Sequence, residues 1–141
     1  MTAPTWQNLR TALFTRLDNQ LSAVVWSPKA PQAAESENIG PFPYVVIVQA
    51  TESPFNTDGT IGSNFVVQID GFARVSDTVS LEAGIASLHS ATRTAIERYP
   101  LTVTGAVWVD TVFENMSLGW SDDGKTRRFI SQYRITLDAS A

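Results

Sequence analysis

Apolar side chains in the N-terminal part of the chain recur at helical spacing. They lie three or four positions apart, at Trp6, Leu9, Leu13, Leu17, Leu21 and Val24. This spacing places them on one stripe and predicts a helix of about five turns. Pro4 suits a first helical turn, where its missing N–H costs nothing, and Pro28 prevents any continuation.

Residues 27–43 are rich in Pro, Ala, Ser and Glu, so they predict an exposed connection. Tyr44 to Ala50 then predicts the first strand. Its first five residues are all apolar, which is typical of a strand at an inner position of a sheet with cover on both faces. Residues 51–63 contain Pro54, Asp58-Gly59 and Gly62 and predict a loop.

Strict alternation predicts a long second strand with one buried face. The apolar positions are Phe65, Val67, Ile69, Ala73 and Val75, alternating with Asn64, Gln68, Asp70 and Arg74. Gly71 within this strand indicates a bulge or a close approach of the backbone.

A second helix follows, with Asp77 or Thr78 as its cap. Its apolar stripe comprises Leu81, Ile85, Leu88, Ala95, Ile96 and Tyr99, and Pro100 is expected to end it. Val107, Val109 and Phe113 then share a face of a third strand. The apolar set changes phase after Glu114-Asn115, which predicts a bulge, and continues with Met116, Leu118 and Trp120.

A tight turn over Ser121-Asp122-Asp123-Gly124-Lys125 predicts a hairpin, because Asp-Gly is a strong hairpin signal. The last strand carries Phe129, Ser131, Tyr133, Ile135 and Leu137 on one face. The predicted order is helix, strand, strand, helix, strand, strand. We therefore expect an α+β fold in which two helices pack on one face of a largely antiparallel four-stranded sheet, formed as a single domain over residues 1–141.

Composition restricts the possible chemistry. The chain has no cysteine, which excludes disulfides, thiolate nucleophiles and zinc sites that need sulfur. The formal net charge is −4 and the only short basic cluster is Lys125, Arg127 and Arg128, so tight nucleic-acid binding is disfavoured. No apolar run approaches the roughly 20 residues that span a bilayer. We expect no signal peptide, because a basic start followed by an apolar block is missing.

Candidate catalytic groups are few. His89 is the single histidine, and a dyad with Ser87 or Ser90 is the catalytic interpretation. The favoured interpretation is a histidine at the boundary of the core. Asp122-Asp123 could hold a metal ion, but the turn itself requires Asp-Gly, so the structural role is favoured. The sequence predicts no metal site and no cofactor.

The loop at residues 51–63 also carries no ligand motif. Asn56-x-Asp58-Gly59 matches part of a calcium loop, yet Pro54 and Phe65 stand where carboxylates are required. Gly59 and Gly62 lack the neighbouring Lys and Ser/Thr of a phosphate-binding loop.

Aromatic residues near loops and strand ends are the remaining candidates for function. Trp26, Phe42, Phe55 and Trp120 either form interface anchors or cap the ends of the core, and the sequence leaves both interpretations open. Arg127 and Arg128 either pair with the acids of a neighbouring subunit or are solvated at the start of a strand.

Several segments together resemble the tail terminator, or tail-completion, family of long-tailed bacteriophages and gene transfer particles. They are Phe42-Pro43-Tyr44-Val45-Val46-Ile47, "VVQIDGFAR", "LEAGIASLHSATRTAIERY" and "SLGWSDDGKTRRFISQYRITL". The resemblance extends from about Thr5 to Leu137. The strongest parts of this resemblance are the start of the first strand at Phe42 and the Asp122-Asp123-Gly124 turn ahead of Arg127-Arg128.

The resemblance implies a structural virion protein without enzyme activity, cofactor or catalytic residues. Such a protein forms a homo-oligomeric ring, with six members in the family, at the head-proximal end of the tail. It ends polymerisation of the tail tube protein and joins the head connector. DNA passes through the lumen without specific binding. The implied location is the virion tail after assembly in the bacterial cytoplasm, with no membrane association.

The expected contacts with subunits or partners follow from loops and exposed ends. They are Trp26, Phe42, Phe55, Asn56, Asp58, Trp120, Asp122, Asp123, Arg127 and Arg128, with Phe55 to Gly59 as a contact tip. Two alternatives remain. One is a head-side stopper or other minor tail or neck protein; the other is a small soluble enzyme that uses His89.

Overall fold

The computed structural model describes residues 3–27, 42–57, 60–74, 81–120 and 126–139, without the side chains of residues 55–57 and 60. Within these ranges the chain forms two helices and five strands. In chain order they are α1 (Trp6–Gln20), β1 (Val24–Trp26), β2 (Tyr44–Thr57), β3 (Thr60–Arg74), α2 (Leu81–Ile96), β4 (Ala106–Trp120) and β5 (Thr126–Ala139).

The strands form one mixed sheet in the order β1-β2-β3-β5-β4. Strand β1 runs parallel to β2, and every other pair is antiparallel. The prediction of an α+β fold with two helices is confirmed, whereas the predicted four strands are too few. The missed strand, β1, has only three residues and is too short to show alternation.

Helix α1 is shorter than predicted. The Thr5 hydroxyl accepts a hydrogen bond from the Asn8 N–H at 3.3 Å and caps the start. Leu9, Leu13 and Leu17 are completely buried, which confirms the stripe. Leu21 takes an extended conformation (φ −96°, ψ 141°) and ends the helix, so Val24 belongs to β1 instead.

The predicted loop at residues 51–63 is wrong, because β2 continues to Thr57 and β3 begins at Thr60. Strand β3 is supported on its other side by β5 from Gly62 onward, which keeps this end of the hairpin extended. Pro54 is tolerated because β2 pairs with β1 only at residues 44–46, and no described strand pairs with this edge of β2 beyond them.

Strand β2 lies between β1 and β3, as its continuous apolar run predicts. Val45 and Ile47 belong to the main core, together with both helices and the apolar faces of β3 and β5. Tyr44 and Val46 point to the opposite face, which we call the open face, and are only 2% and 5% exposed. No helix in the described part of the chain covers the open face.

Strand β4 has the predicted bulge between Phe113 and Asn115 and a second one between Trp108 and Asp110. The second bulge moves Val107 to the open face, opposite Asp138, while Phe113 faces the helices opposite Tyr133. The predicted shared face of Val107, Val109 and Phe113 is therefore wrong. A single inserted residue reverses the alternation, and apolar residues on both sides of it conceal the change.

His89 is a packed aromatic residue on the inner face of α2. Its ring lies edge-on to Phe113 and Phe129, with centroid distances of 5.4 Å and 5.1 Å. Its Nε2 atom is buried and has no hydrogen-bond partner among the described residues. Burial lowers the pKa of His89, and the nearby Arg93 charge lowers it further.

Gly71 marks a close approach between β3 and the ring of Phe129. A Cβ atom at position 71 would overlap this ring. We expect Gly71→Ala to lower the free energy of unfolding by about 1–3 kcal/mol, the usual cost of overpacking. Gly119→Ala is the control, because its nearest neighbour would be Arg128 Cγ at 3.6 Å. Urea denaturation of both variants measures the difference; equal losses would refute the steric argument.

The lowered pKa of His89 predicts a loss of stability in acid. As the pH falls below 6.5, the ordinary pKa of histidine, the unfolded chain takes up a proton that the folded chain binds less well. The free energy of unfolding should therefore decrease more between pH 7.5 and pH 5.5 in the wild type than in His89→Phe. Denaturant titrations at both pH values give the comparison. Identical pH dependence in the two proteins would contradict it.

Candidate functional site

Three of the predicted contact residues meet on the open face: Trp26, Phe42 and Arg128. Trp26 and Phe42 pack against the buried pair Tyr44 and Val46, together with Phe72 and Val48. The Phe42 and Tyr44 rings lie 5.1 Å apart, and the Tyr44 and Phe72 rings stack at 4.8 Å. We call these six residues the open-face cluster.

Two arginines border the open-face cluster. The Arg74 guanidinium lies 4.5 Å from the centre of the Phe42 ring, and that of Arg128 lies 5.6 Å from Phe72. Arg128 also pairs with Asp70 at 3.1 Å. Burial raises the pKa of Asp70, while hydrogen bonds from Gln68 and Arg128 act in the opposite direction. The cluster is thus a small second core on the face that neither described helix covers.

Two further predicted residues meet on the helix-covered side, at the end of β4. Trp120 is 54% exposed, and Leu118 beside it is 45% exposed. The Arg127 guanidinium lies 4.8 Å from the Trp120 ring. It also donates hydrogen bonds to Glu82 at 2.7 Å and to the Gly119 carbonyl at 3.1 Å. These bonds hold Arg127 in place. The exposed Trp120 ring therefore packs against a side chain whose position is fixed.

The remaining predicted contacts are only partly placed. The backbone of Phe55 and Asn56 lies in β2, opposite Gly62 and Ile61. Their side chains lie outside the described residues, as do Asp58, Asp122 and Asp123. Both arginines, 127 and 128, engage acids of their own chain, an arrangement that neither sequence interpretation included.

Sequence reasoning missed a contact between the end of α2 and the outer edge of β4. The Arg98 N–H donates to the Thr111 carbonyl at 2.9 Å, and the Phe113 N–H donates to the Glu97 carboxylate at 3.3 Å. Arg98 takes a left-handed conformation with φ 55°. Arg93 pairs with Glu97 at 2.9 Å, and its hydrogen bond is the main cause that lowers the pKa of Glu97. No local pattern signals this contact.

Amide side chains form a row across the open face beside the open-face cluster. Strand pairing aligns Gln49 with Gln68, Gln68 with Gln132, and Gln132 with Asn115. Gln49 donates to Gln68 at 3.3 Å, and Asn115 donates to Gln132 at 3.1 Å. This part of the face is polar and uncharged.

The described residues offer little for catalysis. They contain no group of three or more His, Cys, Asp or Glu side chains that could hold a metal ion. A groove of about 600 Å³ between the helices is lined largely by small and apolar residues, among them Gly84, Ala91 and Leu88. His89 contacts aromatic rings and has no acceptor for Nε2 in this part of the structure. None of the described helices is both long and apolar enough to cross a bilayer.

Comparison with solved structures identifies a similar fold. One match is a chain of the "Virion of native gene transfer agent (GTA) particle", with a TM-score of 0.73 at 13% sequence identity. The alignment covers 94% of this chain and 96% of that chain. At this identity the match concerns the fold. No curated protein sequence matches the chain.

The sequence itself matches a known family. The family described as "Tail completion protein gp17" matches residues 11–138, which is most of the chain. This match covers α1 from residue 11 onward, all of α2 and β2 to β4, and β5 up to residue 138. It removes the alternative of an enzyme that uses His89. The chain belongs to the tail completion protein gp17 family, and it is a structural protein of the virion tail rather than an enzyme.

Proposed function

We propose that this protein forms a ring at the head-proximal end of a phage-like tail tube. There it ends polymerisation of the tube protein and joins the tail to the head connector. The observation that carries this proposal is the family match over residues 11–138. We further propose that the chain acts in the ring as a single domain, with six copies as in the resembling family.

Two apolar patches on different faces of the sheet support contacts between non-identical surfaces of neighbouring copies. The open-face cluster lies on β1–β3, whereas Trp120 lies on the other face of the sheet, at the β4 edge. A contact that joins two different patches repeats head to tail, and it closes into a ring when the rotation allows it. Of the two patches, the one at Trp120 is strongly exposed, and exposed apolar surface commonly marks an interaction site. The predicted contact segment Phe55 to Gly59 is an additional proposed contact.

The charge of the chain is compatible with DNA passage through such a ring. The formal net charge is −4, so the protein as a whole repels a phosphate backbone. The row of amides on the open face adds no positive charge. Because this row has no cationic groups that displace counterions, DNA gains no binding free energy from it and can slide past it.

A head-side stopper remains the second candidate, because it would also build a ring from two different patches. The two functions differ in the partner that is bound first. A terminator binds the end of the tube and fixes its length, whereas a stopper binds the connector after the length has been set.

Deletion of the gene separates these functions. We expect particles that lack this protein to carry tails of uncontrolled length that fail to join heads, because nothing stops tube growth. Electron microscopy of negatively stained particles gives the length distribution, and complementation with the wild-type gene is the control. Unattached tails of normal length would favour the stopper. Intact particles that deliver DNA would refute both functions.

Trp120 is expected to be an anchor of the assembly interface. Truncating an interface anchor typically costs 2 kcal/mol or more, so Trp120→Ala should reduce incorporation into tails by about 30-fold or more. Quantitative immunoblots of purified particles measure the incorporation.

Phe14→Ala is the matched control for Trp120→Ala, because Phe14 is an exposed aromatic residue (37%) on α1 and is not among the proposed contact residues. Circular dichroism checks that both variants fold. Equal incorporation of the two variants would rule out Trp120 as an anchor.

A further inference from the structure

The outer edge of β4 is the longest strand edge without a neighbouring strand in the described sheet. Strand β4 has 15 residues and pairs with β5 on one side only. An edge of this kind presents unpaired N–H and C=O groups and can pair with a strand of another chain. Four of its apolar side chains are also exposed: Val107, Val109, Leu118 and Trp120.

Backbone groups in the middle of this edge are already occupied. Thr111 and Phe113 are two positions apart, so their N–H and C=O groups point to the same side of the strand, away from β5. The Thr111 carbonyl accepts from the Arg98 N–H, and the Phe113 N–H donates to Glu97. The Thr111 N–H donates to the Asp110 carboxylate at 2.9 Å. Three of these four outward groups therefore have partners within the chain.

Two of the three partners, Glu97 and Arg98, directly follow the last residue of α2, and Glu97 is itself held in place. Arg93 binds Glu97 at 2.9 Å and lies over the Phe113 ring at 4.3 Å. The Glu97 side chain is only 25% exposed. The two bulges of β4 flank Thr111 and Phe113 and disrupt the regular edge on both sides.

We infer that the end of α2 is an autoinhibitory clamp, which closes the β4 edge to a strand from a second copy of this chain. Glu97 and Arg98 compete for the same backbone groups that an added strand would use. The clamp keeps isolated copies apart. This inference concerns the chain in solution and does not depend on the proposed place of the protein in the tail.

Glu97→Ala tests the clamp in the full-length purified chain. The Phe113 amide loses its acceptor and should exchange with deuterium about tenfold faster in dilute solution, because one hydrogen bond is worth roughly that factor. Self-association, measured by sedimentation velocity, should begin at a concentration about tenfold below that of the wild type. The Phe113 amide should become protected again as the variant associates.

Two further variants make the result specific. Glu114→Ala removes an acidic side chain of β4 that pairs with Arg134. This variant should match the wild type in Phe113 amide exchange and in self-association. Glu97→Gln keeps an acceptor for the Phe113 N–H but loses the charge. Its Phe113 exchange rate and its self-association should lie between those of the wild type and Glu97→Ala. If Glu97→Ala does not fold, the same measurements on Glu97→Gln decide the question.

Three results would overturn the inference. The Phe113 amide could exchange no faster in Glu97→Ala than in the wild type. It could exchange faster while the variant associates no more readily than the wild type. Glu114→Ala could associate as strongly as Glu97→Ala, which would show that loss of negative charge alone is responsible.

Discussion

The pairing of β3 with β5 is the interaction on which the rest of the structure depends. It runs from Gly62–Asp138 to Arg74–Thr126 and joins two hairpins that are far apart in the sequence. Without it, β4–β5 would be an isolated two-stranded ribbon, which is marginally stable in water, and β2–β3 would be joined only by the three-residue β1. Joined, they present one broad apolar face to both helices. Gly71 lies within this pairing, where the Phe129 ring leaves no room for a Cβ atom.

Much of this fold could be predicted from the sequence, because the two helices and the long strands bury one continuous face. The stripe at Leu9, Leu13 and Leu17 and the alternation along β3 each have a single reasonable interpretation. Strand β1 and the far end of the β2–β3 hairpin were not predictable in the same way. They are extended because a neighbouring strand supports them, and local preferences at Pro54 point to a loop instead.

The candidate surfaces were predictable only as a set of exposed aromatic residues. Sequence reasoning selected Trp26, Phe42 and Trp120, but it could not show that they belong to opposite faces of the sheet. The strand register decides which face each side chain lies on, and each of the two bulges in β4 moves the following residues to the opposite face. The clamp on β4 was not predictable at all, since Glu97 and Phe113 are separated by 16 positions and meet through a side chain-to-backbone bond.

The two edges of the sheet restrict how copies of this protein can meet. At β4, the end of α2 occupies the backbone groups at Thr111 and Phe113. At the other edge, β1 covers the start of β2, and Pro54 supplies no N–H further along. In the described sheet both edges are interrupted, at Thr111 and Phe113 on one side and at Pro54 on the other, so neighbouring copies are expected to meet mainly through side chains. Exposed anchors such as Trp120 then determine which surfaces join, and the sheet of each copy remains its own.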